Sequence, residues 1–371
     1  MSTHAHIVGW GKYVPQRVLT NDDLARMVDT SDDWIRTRTG IAERRIVADG
    51  ETTFSMALQA ARQALEVAGL NPAQLDLIIV ATVTPDHAFP ATACLVQDAL
   101  GATHAAAFDL SAGCTGFVYG LSVAADLISA GVYQNALVIG AETLSRITNW
   151  SDRATCVLFG DGAGAVLLQA NGTNGGVLST VLGADGSGGD LLCLPAGGSR
   201  EPASHRTVAE GLHYLKMKGR EVFRFAVRTM PAATRQVLEQ AGLEISDLNL
   251  LIPHQANQRI IEASARALGL PPEAVFSNLE RYGNTSAASI PIALCEAVEE
   301  GRIQRDDLVV CVGFGAGLTW GAAAIRWSAP LPPTRPSRWE KTWYQLRYRY
   351  AALRSLVRRF LRWLFSRGVK E

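Results

Sequence analysis

Residues 62–80 can be laid on residues 235–253 without a gap, and 10 of the 19 positions are identical. The match takes in loop positions as well as apolar ones, so shared helix and strand composition does not account for it. Continuing with small gaps, Ala99-Leu100-Gly101 meets Ala267-Leu268-Gly269, and Gly113-Cys114-Thr115 meets Gly283-Asn284-Thr285. A chain that repeats itself in this way predicts two halves related by an approximate two-fold axis, with the turns at Cys114 and Asn284 at a shared centre. The hydrophobic periods place a strand over 6–15, helices over 20–28, 30–40, 55–68, 91–100 and 117–129, and strands over 75–82 and 135–140. Two more apolar strands are expected on either side of the glycine run 160–164. The second half reads as helices over 219–241, 258–268 and 290–299 with strands over 248–252, 308–312 and 322–327, while 183–208 reads as an irregular surface excursion. Alternation of strand and helix predicts an α/β fold with two mostly parallel sheets covered by helices.

Residues 105–110 read as the end of a buried strand and 117–128 carry apolar residues at helical spacing, so Cys114 falls at a strand-to-helix turn. A helix N-terminus offers free amide hydrogens and the positive end of the dipole, which favour the nucleophilic thiolate. A buried structural cysteine is the alternative. Pro253-His254-Gln255-Ala256-Asn257 follows the strand 248–252 at its C-terminal end, where α/β folds place chemistry, and a histidine there suits a cysteine nucleophile or an oxyanion. Gly160-Asp161-Gly162-Ala163-Gly164 lacks the Lys-Ser/Thr ending of a phosphate loop and reads as a tight connection between strands.

With 371 residues, 48% hydrophobic, and 34 glycines, the chain has the size and composition of a packed α/β enzyme. No apolar run reaches the ~18 residues of a membrane span, and no basic-then-apolar leader opens the sequence, so the expected location is cytoplasmic. The six cysteines show neither paired metal spacing nor a disulfide framework, and five of them read as small core residues. His4 and His6 lack partners for a metal. The zero net charge conceals a division: residues 329–371 hold 11 Lys and Arg against 2 Asp and Glu, a charge of +9 that leaves −9 on the rest.

Ser111-Ala-Gly-Cys-Thr-Gly-Phe117, Pro253-His-Gln-Ala-Asn257 and Tyr282-Gly-Asn-Thr-Ser286 together resemble the Cys-His-Asn motifs of the β-ketoacyl-acyl-carrier-protein synthase III family, in the thiolase superfamily. The resemblance covers about residues 5–327. It implies a thiolase-like five-layered α-β-α-β-α fold, with an N-terminal half over 1–170 and a C-terminal half over 171–328. It also implies a homodimer, acyl-CoA and an acyl carrier protein as partners, and no metal or redox cofactor. By the same resemblance Cys114 is the nucleophile, the amides of Cys114 and Ala316 form the oxyanion hole, and His254 and Asn284 serve decarboxylation. Many relatives have glycine where Ala316 stands, a change that keeps the amide donor. Trp34, Arg38 and Arg153 resemble CoA contacts, Phe89 an aromatic that floors the acyl pocket across the dimer interface, and Arg224, Arg259 and Arg266 a carrier-protein patch. Arg220 departs from the asparagine some relatives use for pantetheine. The implied reaction is decarboxylative condensation of a short acyl-CoA with malonyl-carrier protein, initiating fatty acid synthesis. A same-fold condensing enzyme or acyltransferase of polyketide or secondary metabolism is the alternative.

The tail, 329–371, stands outside the family pattern. A proline-rich stretch over 328–337 reads as a stiff linker. Beyond it, residues 338–367 alternate apolar and arginine positions as a basic amphipathic helix, suited to anionic membrane surface, to packing on the acidic body, or to a protein or nucleic-acid partner, with nucleic acid not expected.

Overall fold

The computed structural model describes residues 3–329 and 338–367; most of the proline-rich linker, residues 330–337, lies outside the described residues. Strands β1 (His4–Tyr13), β2 (Leu77–Ala81), β3 (Ala106–Leu110), β4 (Asn135–Thr143) and β5 (Asp161–Asn171) form one sheet in the order β1-β5-β4-β2-β3. Strands β6 (Gly176–Ala184), β7 (Leu250–Pro253), β8 (Leu308–Gly315) and β9 (Thr319–Arg326) form the second in the order β7-β8-β9-β6. A single parallel bridge from Val275 to Leu251 occupies the place that β3 holds in the first sheet.

Helices α4 (Gly116–Ser129) and α7 (Ser289–Glu299) lie between the sheets, and their apolar faces join inner residues of both sheets in one buried cluster. Helices α2 (Thr53–Ala68) and α3 (Thr92–Leu100) cover the outside of the first sheet. Helices α5 (Gly219–Gln240) and α6 (Gln258–Leu268) cover the outside of the second, which gives the five-layered thiolase arrangement. Strand β2 shows why the sequence specifies it: Leu77 and Ile79 pack inward with α4, while Ile78 and Val80 pack outward with α2. A strand buried on both faces reads as a continuous apolar run.

The repeat is structural down to its loops. Residues 72–74 and 245–247 are both 3-10 turns in which the preceding residue donates its amide to the side chain of the third turn residue, Asn71 to Gln74 at 3.3 Å and Glu244 to Asp247 at 2.8 Å. Gly69 and Gly242, which precede them, share left-handed φ angles of 66° and 69°.

Several local expectations change. The sheets are mixed: β4-β2-β3 and β7-β8 run parallel, whereas β1-β5, β5-β4, β8-β9 and β9-β6 run antiparallel. Only residues 316–318 separate β8 from β9, too few for the crossover a parallel pair needs. The glycine run 160–164 is no connection, since residues from 161 on lie inside β5, preceded by a short helix Arg153–Cys156 rather than a strand. A Cβ on Gly162 would stand 2.8 Å from Ile292, and one on Gly164 2.7 Å from the Ile292 amide nitrogen, so these glycines let α7 of the second half lie against the first sheet. The helix expected over 20–28 shrinks to Asn21–Ala25, capped by Thr20. The excursion 183–208 is partly ordered by the two-residue strand Leu192–Cys193 and the helix His205–Ala209. Cys94 is exposed and Cys193 half-buried, so three rather than five of the remaining cysteines are core residues. His4 bonds Gly175 O, and His6 bonds Ser328 Oγ and Gly172 O, which ties β1 to the chain around it.

Helix α8 (Arg338–Arg367) forms as its periodicity predicts, and its first half packs back on the body. Tyr344, Tyr348 and Ala351 are buried, and the Tyr344 hydroxyl lies 3.1 Å from the carbonyls of Leu65 and Leu70. Arg62 stacks on Tyr348 at 4.4 Å, and Ser355 donates to Asp98 at 2.5 Å. Burial of the Tyr344 ring contributes about 1.5–3 kcal/mol to this docking, whereas the Tyr348 hydroxyl is buried without a hydrogen-bond partner, a cost of about 1–3 kcal/mol that offsets the gain from its ring. From Leu356 to Leu364 every residue is exposed.

Candidate active site

Cys114 sits in a 3-10 turn, Gly113–Thr115, that runs directly into α4. Gly113 takes a φ of 57°, and a Cβ there would come within 2.8 Å of the Ala316 amide nitrogen. A Cβ on Gly315 would come within 2.5 Å of the Cys114 amide nitrogen. The two glycines thus hold the Cys114 and Ala316 backbones side by side, as a two-amide anion site requires.

His254 leaves the end of β7, with its amide donating to Val312 O at 2.8 Å and its ring edge-on to Phe314. Its Nδ1 lies 2.6 Å from Ser289 Oγ, at the start of α7. Ser289 Oγ also faces the Gln255 amide at 3.4 Å, which leaves the hydroxyl hydrogen for Nδ1. With Nδ1 accepting, the neutral ring carries its proton on Nε2. Burial pushes the His254 pKa down to about 3, so the ring is neutral at physiological pH.

Asn284 follows Gly283 in the mirrored turn, and its Oδ1 accepts from the Ser286 amide at 2.8 Å. With the oxygen engaged, the side-chain NH2 is the free donor end. Ser286 itself has a left-handed φ of 49°, uncommon for a residue with a Cβ. Its hydroxyl donates to Glu142 Oε1 at 3.0 Å, and its turn packs against the turn that carries Cys114. Cys114, His254 and Asn284 are all buried.

The expected thiolate is not the resting form. Burial pushes the Cys114 thiol up to about 12, and the nearby Glu142 carboxyl adds to the rise, against lowering by the Ser286 hydroxyl and the Cys114 amide. The short turn before α4 does not outweigh the removal of water from the sulfur.

Sequence models of 3-oxoacyl-[acyl-carrier-protein] synthase III match residues 108–186, and of its C-terminal region residues 238–327. The β-ketoacyl-[acyl-carrier-protein] synthase III of Symbiobacterium thermophilum is 63% identical over 321 residues, 86% of this chain and 97% of that protein. The chain belongs to the β-ketoacyl-acyl-carrier-protein synthase III family. The crystal structure of the synthase III from Aquifex aeolicus superposes with a TM-score of 0.81 at 51% identity, covering 87% of this chain and 100% of that one. The priming β-ketosynthase of the R1128 polyketide pathway superposes with a TM-score of 0.82 at 37% identity, covering 89% of this chain and 98% of that one.

Among the residues that the family resemblance named, Trp34, Arg38 and Arg153 come together at α1 (Asp32–Thr39): Arg153 lies 4.8 Å and Arg38 5.8 Å from the Trp34 ring centre. At 4.8 Å the guanidinium rests on the indole, so a flat ring enters between them only if Arg153, also bonded to Asp29 O, swings away. Arg259 lies 5.6 Å from the ring centre of Phe223, the residue before Arg224 in α5. Arg266 is seven residues along α6, roughly 10 Å away, and faces Glu262 at 3.8 Å. Phe89 is 87% exposed and floors no pocket within its own chain. Among the described residues no group of His, Cys, Asp or Glu is arranged to hold a metal ion.

Ser286, Ser289 and Glu142 were not singled out by sequence reasoning. Glu142 had a signal: a charged residue closing the apolar strand 136–141. The two serines sit among small residues after Asn284 and carry no comparable mark.

Proposed function

We propose that this chain condenses an acyl-CoA with malonyl-acyl-carrier protein through an acyl-Cys114 intermediate and releases a 3-oxoacyl-acyl-carrier protein. The observation that supports this most is the arrangement of two mirrored turns, one carrying Cys114 beside the Ala316 amide, the other carrying Asn284 with its NH2 end free. Cys114 attacks the acyl thioester, and the Cys114 and Ala316 amides hold the oxyanion. His254 Nε2–H and the Asn284 NH2 then donate to the malonyl thioester oxygen as carbon dioxide leaves and the enolate forms. The enolate carbon attacks the acyl-Cys114 carbonyl and expels the sulfur. These steps draw on protein donors alone, without a metal or redox group.

Trp34, Arg38 and Arg153 hold the CoA nucleotide, Arg224 and Arg259, with Arg266 beyond them, receive the acidic carrier protein, and the enzyme works in the cytoplasm as a homodimer. The exposed edge strand β3, with Phe108 38% exposed, and the protruding Phe89 support pairing of two copies in which Phe89 floors the partner's acyl pocket. The two halves, 1–170 and 171–328, act as one catalytic unit. Intact-mass analysis after incubation with a panel of acyl-CoA thioesters tests the reading: a short acyl adduct on Cys114 that malonyl-carrier protein discharges with carbon dioxide release is expected. Discharge to an alcohol or amine instead would favour the acyltransferase reading.

The exposed end of α8 rests on anionic membrane surface in this proposal. Leu353, Val357, Phe360 and Leu364 recur at helical spacing beside Arg354, Arg358 and Arg362, the combination that lies in a headgroup layer. No described helix is long and apolar enough to cross a membrane. Salt-sensitive sedimentation with anionic vesicles, lost in Phe360→Ser with Leu364→Ser, is the expected result; equal sedimentation of both proteins would remove the membrane role.

A further inference from the structure

Glu142 closes β4 in full burial, and no cation stands among the groups that set its ionisation. Its Oε2 accepts from Thr84 Oγ1 at 2.5 Å and Thr82 Oγ1 at 3.2 Å, with the Val83 amide 3.1 Å away. Both threonine hydroxyls are themselves acceptors, Thr82 from the Thr84 amide at 3.0 Å and Thr84 from the Thr143 amide at 2.9 Å, so their hydrogens point to Glu142. Oε2 is therefore saturated with donors. Ser286 Oγ donates to Oε1 at 3.0 Å, the Val83 amide lies 3.2 Å from the same oxygen, and the 286–288 turn packs against the 113–115 turn that carries Cys114. A hydroxyl that donates to the carboxylate and stands next to the cysteine turn can pass a proton from sulfur to carboxylate. The left-handed φ at Ser286, a conformation costing about 1–3 kcal/mol in a residue with a side chain, belongs to the residue that links the two.

We propose that Glu142 stores the Cys114 proton across the acyl-enzyme, with Ser286 as the link. The proposal rests on the condensation reading above. As the sulfur attacks, its S–H bond breaks, the proton goes to Ser286 Oγ, and the serine proton goes to Glu142 Oε1. The sulfur–carbon bond to the acyl group forms, the bond to CoA breaks, and the CoA thiolate takes a proton from solvent. In the second half-reaction the malonyl group loses carbon dioxide, its carbanion attacks the acyl carbon, and the expelled Cys114 thiolate recovers the stored proton by the same path. Atoms and charge then balance with one solvent proton consumed per turnover.

His254 is a poor store, because burial holds it neutral down to about pH 3. Burial pushes Glu142 up to about 7, against the lowering effect of its hydrogen bonds, which matches an acceptor working near neutrality. The titratable group facing Glu142 is Cys114, from the turn before α4. The strand β2 side presents Thr82, Val83 and Thr84, the 286–288 turn presents Ser286, and Asp161 on β5 is turned to Ser145 and the Val47 amide.

The test is the rate of self-acylation of the full chain by acetyl-CoA against pH, read by quenched intact mass, for wild type, Glu142→Gln and Ser286→Ala. In the wild type the rate should rise with pH and level off above about 7, as the carboxylate becomes available to accept. Glu142→Gln should lower the plateau at least ~100-fold, the lower side of what general bases contribute, and abolish the pH limb. Ser286→Ala, which keeps the carboxylate and breaks the path, should do the same. Difference infrared spectra near pH 7, where a group with a pKa of about 7 can hold the proton, should show a protonated carboxyl growing on acylation in the wild type only. A slower variant that keeps the wild-type limb, or no new carboxyl band in the wild type, overturns the proton store while leaving condensation intact. Failure of the wild type to take an acyl group from any CoA thioester would overturn both.

Discussion

The two mirrored turns begin alike and part after three residues. Gly113 and Gly283 share left-handed φ angles of 57° and 63°, and the next residues are Cys114 and Asn284. One position later than Thr115 and Thr285, Gly116 enters α4 at a φ of −51°, whereas Ser286 turns to 49° and delays its helix until Ser289. That delay inserts a 3-10 turn, 286–288, and with it the two hydroxyls that the first turn lacks: Ser286 toward Cys114 and Glu142, and Ser289 toward His254. One copy of the motif delivers a nucleophile against backbone amides. The other delivers side-chain donors and the groups that hold them.

The largest test of that division is Cys114→Ala. Cys114 is the nucleophile the first turn delivers, so acyl-enzyme formation should vanish and condensation fall to background by intact mass and product assay. A retained acyl adduct would show that the two turns do not divide the work this way.

Next come Asn284→Ala and His254→Ala, each removing a donor aimed at the malonyl thioester. Loss of one such donor costs about 10²–10³ in rate, so decarboxylation should fall by that much while self-acylation changes by only a few-fold. Because His254 is neutral down to about pH 3, the decarboxylation step should show no histidine limb between about pH 5 and 8 in a wild-type profile. Ser289→Ala sharpens the comparison, since it leaves the imidazole but frees its tautomer, and should cost less than His254→Ala. Equal losses in both half-reactions for Asn284→Ala would contradict the separation.

How much of this was legible in the sequence follows from the same contrast. The repeat fixed the pairing of Cys114 with Asn284, since one apolar pattern and one set of turn glycines recur at both places. The layered fold was legible because strands such as β2 are apolar on both faces. The thiol form of Cys114 was not, because sequence shows the helix that follows but not the depth of burial. The glycines of β5 misled for a related reason: they admit Ile292 of α7, far along the chain, a close approach that leaves no local trace and looks like a turn. Ser286 was invisible because its role depends on a backbone angle that serine rarely adopts.

The smallest effect separates the outer faces of the halves. Gly101 ends α3 and Gly269 ends α6 in equivalent positions, both with a φ of 73° and both bonding back into the last turn of their helix. A Cβ at Gly269 meets nothing within 4 Å, whereas one at Gly101 would stand 3.0 Å from Ala351 Cβ on α8. Gly101→Ala and Gly269→Ala therefore impose the same left-handed strain, about 1 kcal/mol each, and differ in whether the tail must move. Chemical denaturation should report similar losses of body stability, with condensing activity unchanged. Hydrogen exchange over 344–355 should accelerate only in Gly101→Ala, because that short contact must open by a few tenths of an ångström and loosen the packing of Tyr348 and Ala351. Matching exchange in the two variants would mean that α8 does not depend on this contact, and that the first half's outer face is as free of the tail as the second's.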